Sequence, residues 1–153
     1  MYLKNRIAYL TTFVLMLVPK NAAQPISITG GNQTMTISAG TAGGQPTSVV
    51  NTSCTLKYKK QSRISKITVA TSCPGQSYSL YIVATNVTKG VPAPQISLVN
   101  SNPAADLITD IPTTGTTNAT CTLNFTAAST FAQGNSTEVG DDVHTITYTI
   151  LAQ

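Results

Sequence analysis

The sequence predicts an all-β protein, an antiparallel sandwich of about seven to nine strands following a secretion signal. Three observations carry that expectation. Apolar and polar residues alternate at period two along most of the chain, which marks strands with one buried face. Clusters of Gly, Pro, Asn and Ser interrupt the alternation about every ten residues. No stretch holds a helical period over three turns.

The first element is the leader. Lys4 and Arg6 supply a positive start, "IAYLTTFVLMLV" an apolar run, and "PKNAAQ" a helix-breaking end with small residues, the order a secretion signal uses. The run from Ile7 to Val18 falls short of the roughly 20 residues that a membrane-spanning helix needs. Cleavage is expected after Ala23, giving a signal peptide over 1–23 and one mature domain over 24–153, exported and without a transmembrane anchor.

The strands follow in order. "PISIT" sets Ile26 and Ile28 on one face, and "QTMTISA" sets Met35, Ile37 and Ala39. "SCTLKYKK" alternates Cys54, Leu56 and Tyr58 against Thr55, Lys57 and Lys59, and "KITVATSC" aligns Ile67, Val69, Thr71 and Cys73. "SYSLYIVAT" is apolar on both parities, as a central strand would be. "QISLVN", "DLITDI" and "ATCTLNFTA" come next, then a terminal strand with His144, Ile146, Tyr148 and Ile150 on one parity. Between them lie "GTAGGQP", "CPGQ", "KGVPAP", "NSNP", "IPTTGTT" and "AQGNS". The segments "NTSCTLKY" and "NATCTLNF" repeat one pattern, which we read as two strands meeting the same core requirement.

Charge narrows the function classes. The whole chain is +4, but without Lys4, Arg6 and Lys20 six basic residues face five acidic ones, so nucleic acid is not an expected partner. Lys57, Lys59, Lys60, Arg63 and Lys66 cluster in one short region. They suit either an anionic partner or an edge strand guarded against pairing. Three cysteines are present. If residues 54–60 and 66–73 form a hairpin, Cys54 stands opposite Cys73, and a disulfide between them is expected with Cys121 left over. The rival pairing is Cys54 with Cys121.

The single histidine, His144, follows Asp141 and Asp142 in "GDDVHTITYTILAQ". A metal site there would need further ligands, and along the sequence only distant Asp106 and Asp110 offer themselves. No G-x-S-x-G elbow or other nucleophile motif occurs, and no cofactor motif. The stretch reads as turn, then strand. Neither an enzyme, a metal site nor a cofactor is expected.

The leader, the Thr-rich strands and the alternating final strand, with Gly140 fourteenth from the end, resemble bacterial immunoglobulin-like surface subunits of the chaperone–usher pilin and spore-coat-U kinds. The resemblance implies an immunoglobulin-like sandwich and a structural or adhesive, fimbrial role at the cell surface. It also implies self-assembly in which residues 24–40 add as a strand to a neighbour, with Ile26, Ile28, Met35 and Ile37 as plugs. Ala152 stands where such subunits carry an aromatic residue. The alternative expectation is a self-contained binding module for glycan or a protein partner, using the loops "TKGVPAP" and "IPTTGTTNAT".

Overall fold

The computed structural model describes residues 4–10 (backbone only), 26–38, 44–59, 61–114, 118–130 and 141–153. Among these there is no helix, and so none long and apolar enough to cross a membrane. The strands are β1 (Lys4–Leu10), β2 (Ile26–Thr29), β3 (Gln33–Ser38), β4 (Val49–Tyr58), β5 (Ser65–Ser72), β6 (Ser79–Thr85), β7 (Val91–Pro92), β8 (Ile96–Leu98), β9 (Ala105–Ile111), β10 (Ala119–Ala128) and β11 (Val143–Ala152). They form a six-stranded sheet in the order β3-β1-β11-β5-β9-β7 and a five-stranded sheet in the order β2-β4-β10-β6-β8. All pairings are antiparallel except that of β1 with β11. The all-β sandwich expected from alternation is therefore the fold. The strands that alternation did not reveal are β1, inside the expected leader, and the two-residue β7.

The core lies between the sheets and is built from the predicted parities. β10 alternates without fault, burying Ala119, Cys121, Leu123, Phe125 and Ala127. β4 adds Cys54, Leu56 and Tyr58, and β6 adds Leu80, Ile82 and Ala84. From the opposite sheet come Ile67 and Val69 of β5, Leu107, Ile108 and Ile111 of β9, and Ile146 and Tyr148 of β11. Each large aliphatic side chain so removed from water contributes about 1.5–3 kcal/mol of transfer free energy. That contribution offsets the entropy lost in ordering long polar loops.

The echoed segments turn out to be neighbours. β4 and β10 run antiparallel with Thr55 opposite Thr122, so Cys54 faces Leu123 and Leu56 faces Cys121. Each small thiol sits across from the partner's large Leu, which keeps the core layer at even thickness. One pattern serves both strands because they answer each other across this pair.

The expected hairpin between residues 54–60 and 66–73 does not form, and this is a correction. β4 lies in the five-stranded sheet and β5 in the six-stranded one, so the chain changes sheets between Tyr58 and Ser65. The inward rows of the two strands enter the core from opposite sheets rather than standing side by side. Gly30 makes a similar crossing possible between β2 and β3. Its φ is +118°, and a Cβ there would lie 2.8 Å from the Ser53 carbonyl oxygen and 3.0 Å from Cys54 Cα. Only glycine fits that turn.

Candidate functional site

Two features of the sandwich bear on function: a strand position in the six-stranded sheet, and a polar cluster at one end of the core.

β1 occupies the strand position. It pairs antiparallel with β3 from Lys4↔Ser38 to Tyr9↔Gln33, and parallel with β11 at Ala8↔Val143, Tyr9↔His144 and Leu10↔Thr145. Among the described residues β3 has no other hydrogen-bonded neighbour in its sheet. A chain lacking residues 1–23 would thus leave β3 without a ladder partner and the β11 edge open from Val143 to Thr145. Unpaired backbone groups along a strand form a template for another strand. Met35 and Ile37 would then be held mainly by packing, since both are buried in this chain's own core, as is Ile26, with Ile28 half-buried.

The polar cluster is assembled by the pairing of β5 with β11. Thr145 stands opposite Ser72, and continuing that register by one residue brings Cys73 to His144. Asp142 joins them, and the ligand-type atoms of Cys73, Asp142 and His144 all lie within 4.8 Å of one another. All three residues are buried, at 1%, 4% and 0% exposure. Each is fixed by a further contact. His144 Nδ1 is 3.1 Å from Thr71 Oγ1. The Asp142 carboxylate accepts from the Ser77 amide at 2.9 and 3.1 Å and from the Tyr78 amide at 2.8 Å. The Cys73 amide donates to Asn100 Oδ1 at 2.8 Å. On the outer side of the Gly75–Tyr78 loop is an open cleft also lined by Ser97 and Asn100.

Electrostatics separate this cluster from an activated nucleophile. Burial pushes the Cys73 thiol up, and the nearby Asp142 charge pushes it further in the same direction. Burial pushes His144 down, opposed by Asp142. Both shifts favour a neutral thiol beside a neutral imidazole, the reverse of the thiolate–imidazolium pair that a cysteine nucleophile uses. What the donor set can do is hold a cation: one sulfur, one ring nitrogen and one carboxylate.

The remaining predicted residues are dispersed. Cys54, Cys73 and Cys121 are buried free thiols, with no disulfide. The expected Cys54–Cys73 bridge is absent: the hairpin that would set the two side by side does not form, with Cys54 on β4 and Cys73 one residue past β5 of the other sheet. The rival Cys54–Cys121 pair sits on neighbouring strands of one sheet, diagonally offset because Cys54 is registered with Leu123. Burial pushes the Cys121 thiol up to about 12. The described residues of the basic group span both sheets. Lys57 and Lys59 are exposed at the end of β4, Lys66 on the other sheet pairs with Asp106 at 2.8 Å, and Arg63 is exposed between them. Lys60 and Gly140 lie outside the described residues. β4 is flanked by β2 and β10, so its lysines do not guard a sheet edge. The loops around Thr88 and Thr120 do meet: the Thr88 amide donates to the Thr120 carbonyl at 3.0 Å, and the Thr120 amide donates to Thr88 Oγ1 at 2.8 Å.

Sequence reasoning named His144 and Asp142 but missed Cys73 as their neighbour. Its available signal was parity, since Cys73 and His144 both fall on inward rows at strand ends. No protein-family model matches this chain, and no curated protein or solved structure does so either.

Proposed function

We propose that the protein is a non-enzymatic exported subunit of the pilin-like or coat-like kind, whose six-stranded sheet is completed by exchange of an N-terminal strand between copies. The observation that carries this reading is the position of β1. A segment with the features of a removable leader supplies the only ladder partner of β3 among the described residues and covers the end of β11. After removal of residues 1–23, residues 24–40 are held to their own domain by the pairing of β2 with β4 and by side-chain packing. Exchange of that segment lays it along β11 of a neighbour, in the place that β1 vacates, with Ile26, Ile28, Met35 and Ile37 as plugs. Backbone pairing along β11 then supplies affinity, and the alternate side chains supply register.

The test compares the full chain with a chain that begins at Gln24, run unboiled on a denaturing gel. The Gln24 chain is expected to form an SDS-resistant ladder, and the chain retaining β1 to run as a monomer. If both run as monomers and unfold in one transition at the same denaturant midpoint, β3 closes onto β11 by itself and the proposal fails. A second reading, a self-contained binding module, draws on the tie between Thr88 and Thr120 that holds two long loops together. The monomer outcome favours it.

A further inference from the structure

We propose that Cys73, Asp142 and His144 form a binding site for a divalent transition metal of the zinc class, built into the end of the sandwich core. The argument starts from the donor set. Thiolate, imidazole and carboxylate together suit a borderline cation such as Zn2+, whereas calcium and magnesium sites are made of oxygen alone. The three donors already lie within 4.8 Å of one another in a buried setting. Donor atoms around a tetrahedral zinc stand about 3.3–3.8 Å apart, so closure asks for a movement of about 1 Å.

The support around the donors matches what metal sites need. A histidine ligand is usually oriented by a hydrogen bond at its other ring nitrogen, and Thr71 Oγ1 lies 3.1 Å from His144 Nδ1, which assigns Nε2 to the metal. Asp142 is held by two backbone amides, and Cys73 is held through its own amide by Asn100. Three protein ligands leave one position at a tetrahedral ion for a solvent molecule. Binding replaces the proton on Cys73 Sγ by the metal: the S–H bond breaks, the S–metal bond forms, and the proton passes to solvent. No change of oxidation state is involved.

This site is independent of strand exchange, and its test uses the full chain, stripped with EDTA, kept reduced and titrated with Co2+. Cobalt bound through a thiolate shows a sulfur-to-metal charge-transfer band, and Zn2+ is expected to displace it at about one equivalent. The decisive protein is the Cys54→Ser, Cys121→Ser double variant, in which Cys73 is the sole thiol and the proposed ligands are untouched. It should keep the band. Cys73→Ser should abolish it, and Thr71→Val should weaken cobalt binding about 10–100-fold, the range for loss of a group that orients a ligand. Absence of the charge-transfer band from the native chain overturns the proposal, as does its absence from the double variant or its survival in Cys73→Ser.

Discussion

Replacing Asp142 by alanine should cost about 4 kcal/mol of folding stability, even with all metal removed. The carboxylate accepts from two backbone amides, those of Ser77 and Tyr78, at distances from 2.8 to 3.1 Å. Hydrogen bonds to a charged acceptor are worth about 1.5–3 kcal/mol each, and a buried donor left unpaired loses its water as well. The Tyr78 amide is in a buried bond, so its loss is set at about 3 kcal/mol. Ser77 is half-buried and water reaches its amide more readily, so about 1 kcal/mol is assigned there. Asp142→Asn keeps one acceptor oxygen and gives up the charge, for a smaller loss of about 1–2 kcal/mol. In a domain of about 130 residues, 4 kcal/mol lowers the melting temperature by about 15 °C. The assay is urea unfolding in EDTA and reductant, with stability read from the midpoint at constant slope. An alanine variant no worse than the asparagine variant, or a loss below about 1 kcal/mol, refutes the account of Asp142 as the anchor of the 74–78 loop.

Three further outcomes are expected. The Tyr148 hydroxyl is buried and has no hydrogen-bond partner among the described residues, so Tyr148→Phe should leave stability unchanged or raise it by about 1–2 kcal/mol. A loss above about 1 kcal/mol in urea unfolding would mean the hydroxyl is bonded. Gly30→Ala should cost at least about 2 kcal/mol in the same assay, from a positive φ and a contact with the Ser53 carbonyl that the backbone cannot relieve. The third outcome concerns alkaline pH. Burial raises both Cys121 (9.0 when exposed) and Tyr58 (10.0 when exposed) to about 12, so the folded state favours their protonated forms. The stability this gives is fully present below about pH 9 and is lost as pH rises from there toward 12, because the unfolded chain releases these protons first. Urea midpoints measured across that window should fall, and Cys121→Ala should flatten the part that begins near pH 9. A flat profile in the parent chain would show that the two groups ionise alike in both states.

Which face most strands bury was legible in the sequence, because alternation is a local signal: the inward rows of β4, β5, β10 and β11 stand as their parity requires, whereas β6, apolar on both parities, buries only the row of Leu80, Ile82 and Ala84. Which strand lies beside which was not. The inward row of Cys54, Leu56 and Tyr58 has the same parity whether β5 pairs with β4 or faces it across the core, so the hairpin and its disulfide followed from proximity in sequence alone. The same uncertainty hid that Lys57 and Lys66 stand on opposite sheets. It also hid the polar cluster, since Cys73 meets His144 only through a pairing that links β5 to a strand more than seventy residues later. Apolar composition marked residues 7–18 as a signal core, and nothing in that composition pointed to the pairing of residues 4–10 with β3 and β11.

The placement of β10 and β11 has a consequence for biosynthesis. β10 is the middle strand of one sheet, between β4 and β6, and β11 stands between β1 and β5 in the other. These two come after every other described strand in chain order, so neither layer closes until they have been made. A nascent chain of this topology stays extended until β11 has left the ribosome. The same delay leaves the apolar rows of β4, β5 and β6 waiting in the open, where proteins dominated by such distant pairings fold slowly, in milliseconds to seconds, and aggregate most readily. A helper that shields those rows before the last strand arrives would raise the yield without changing the final structure.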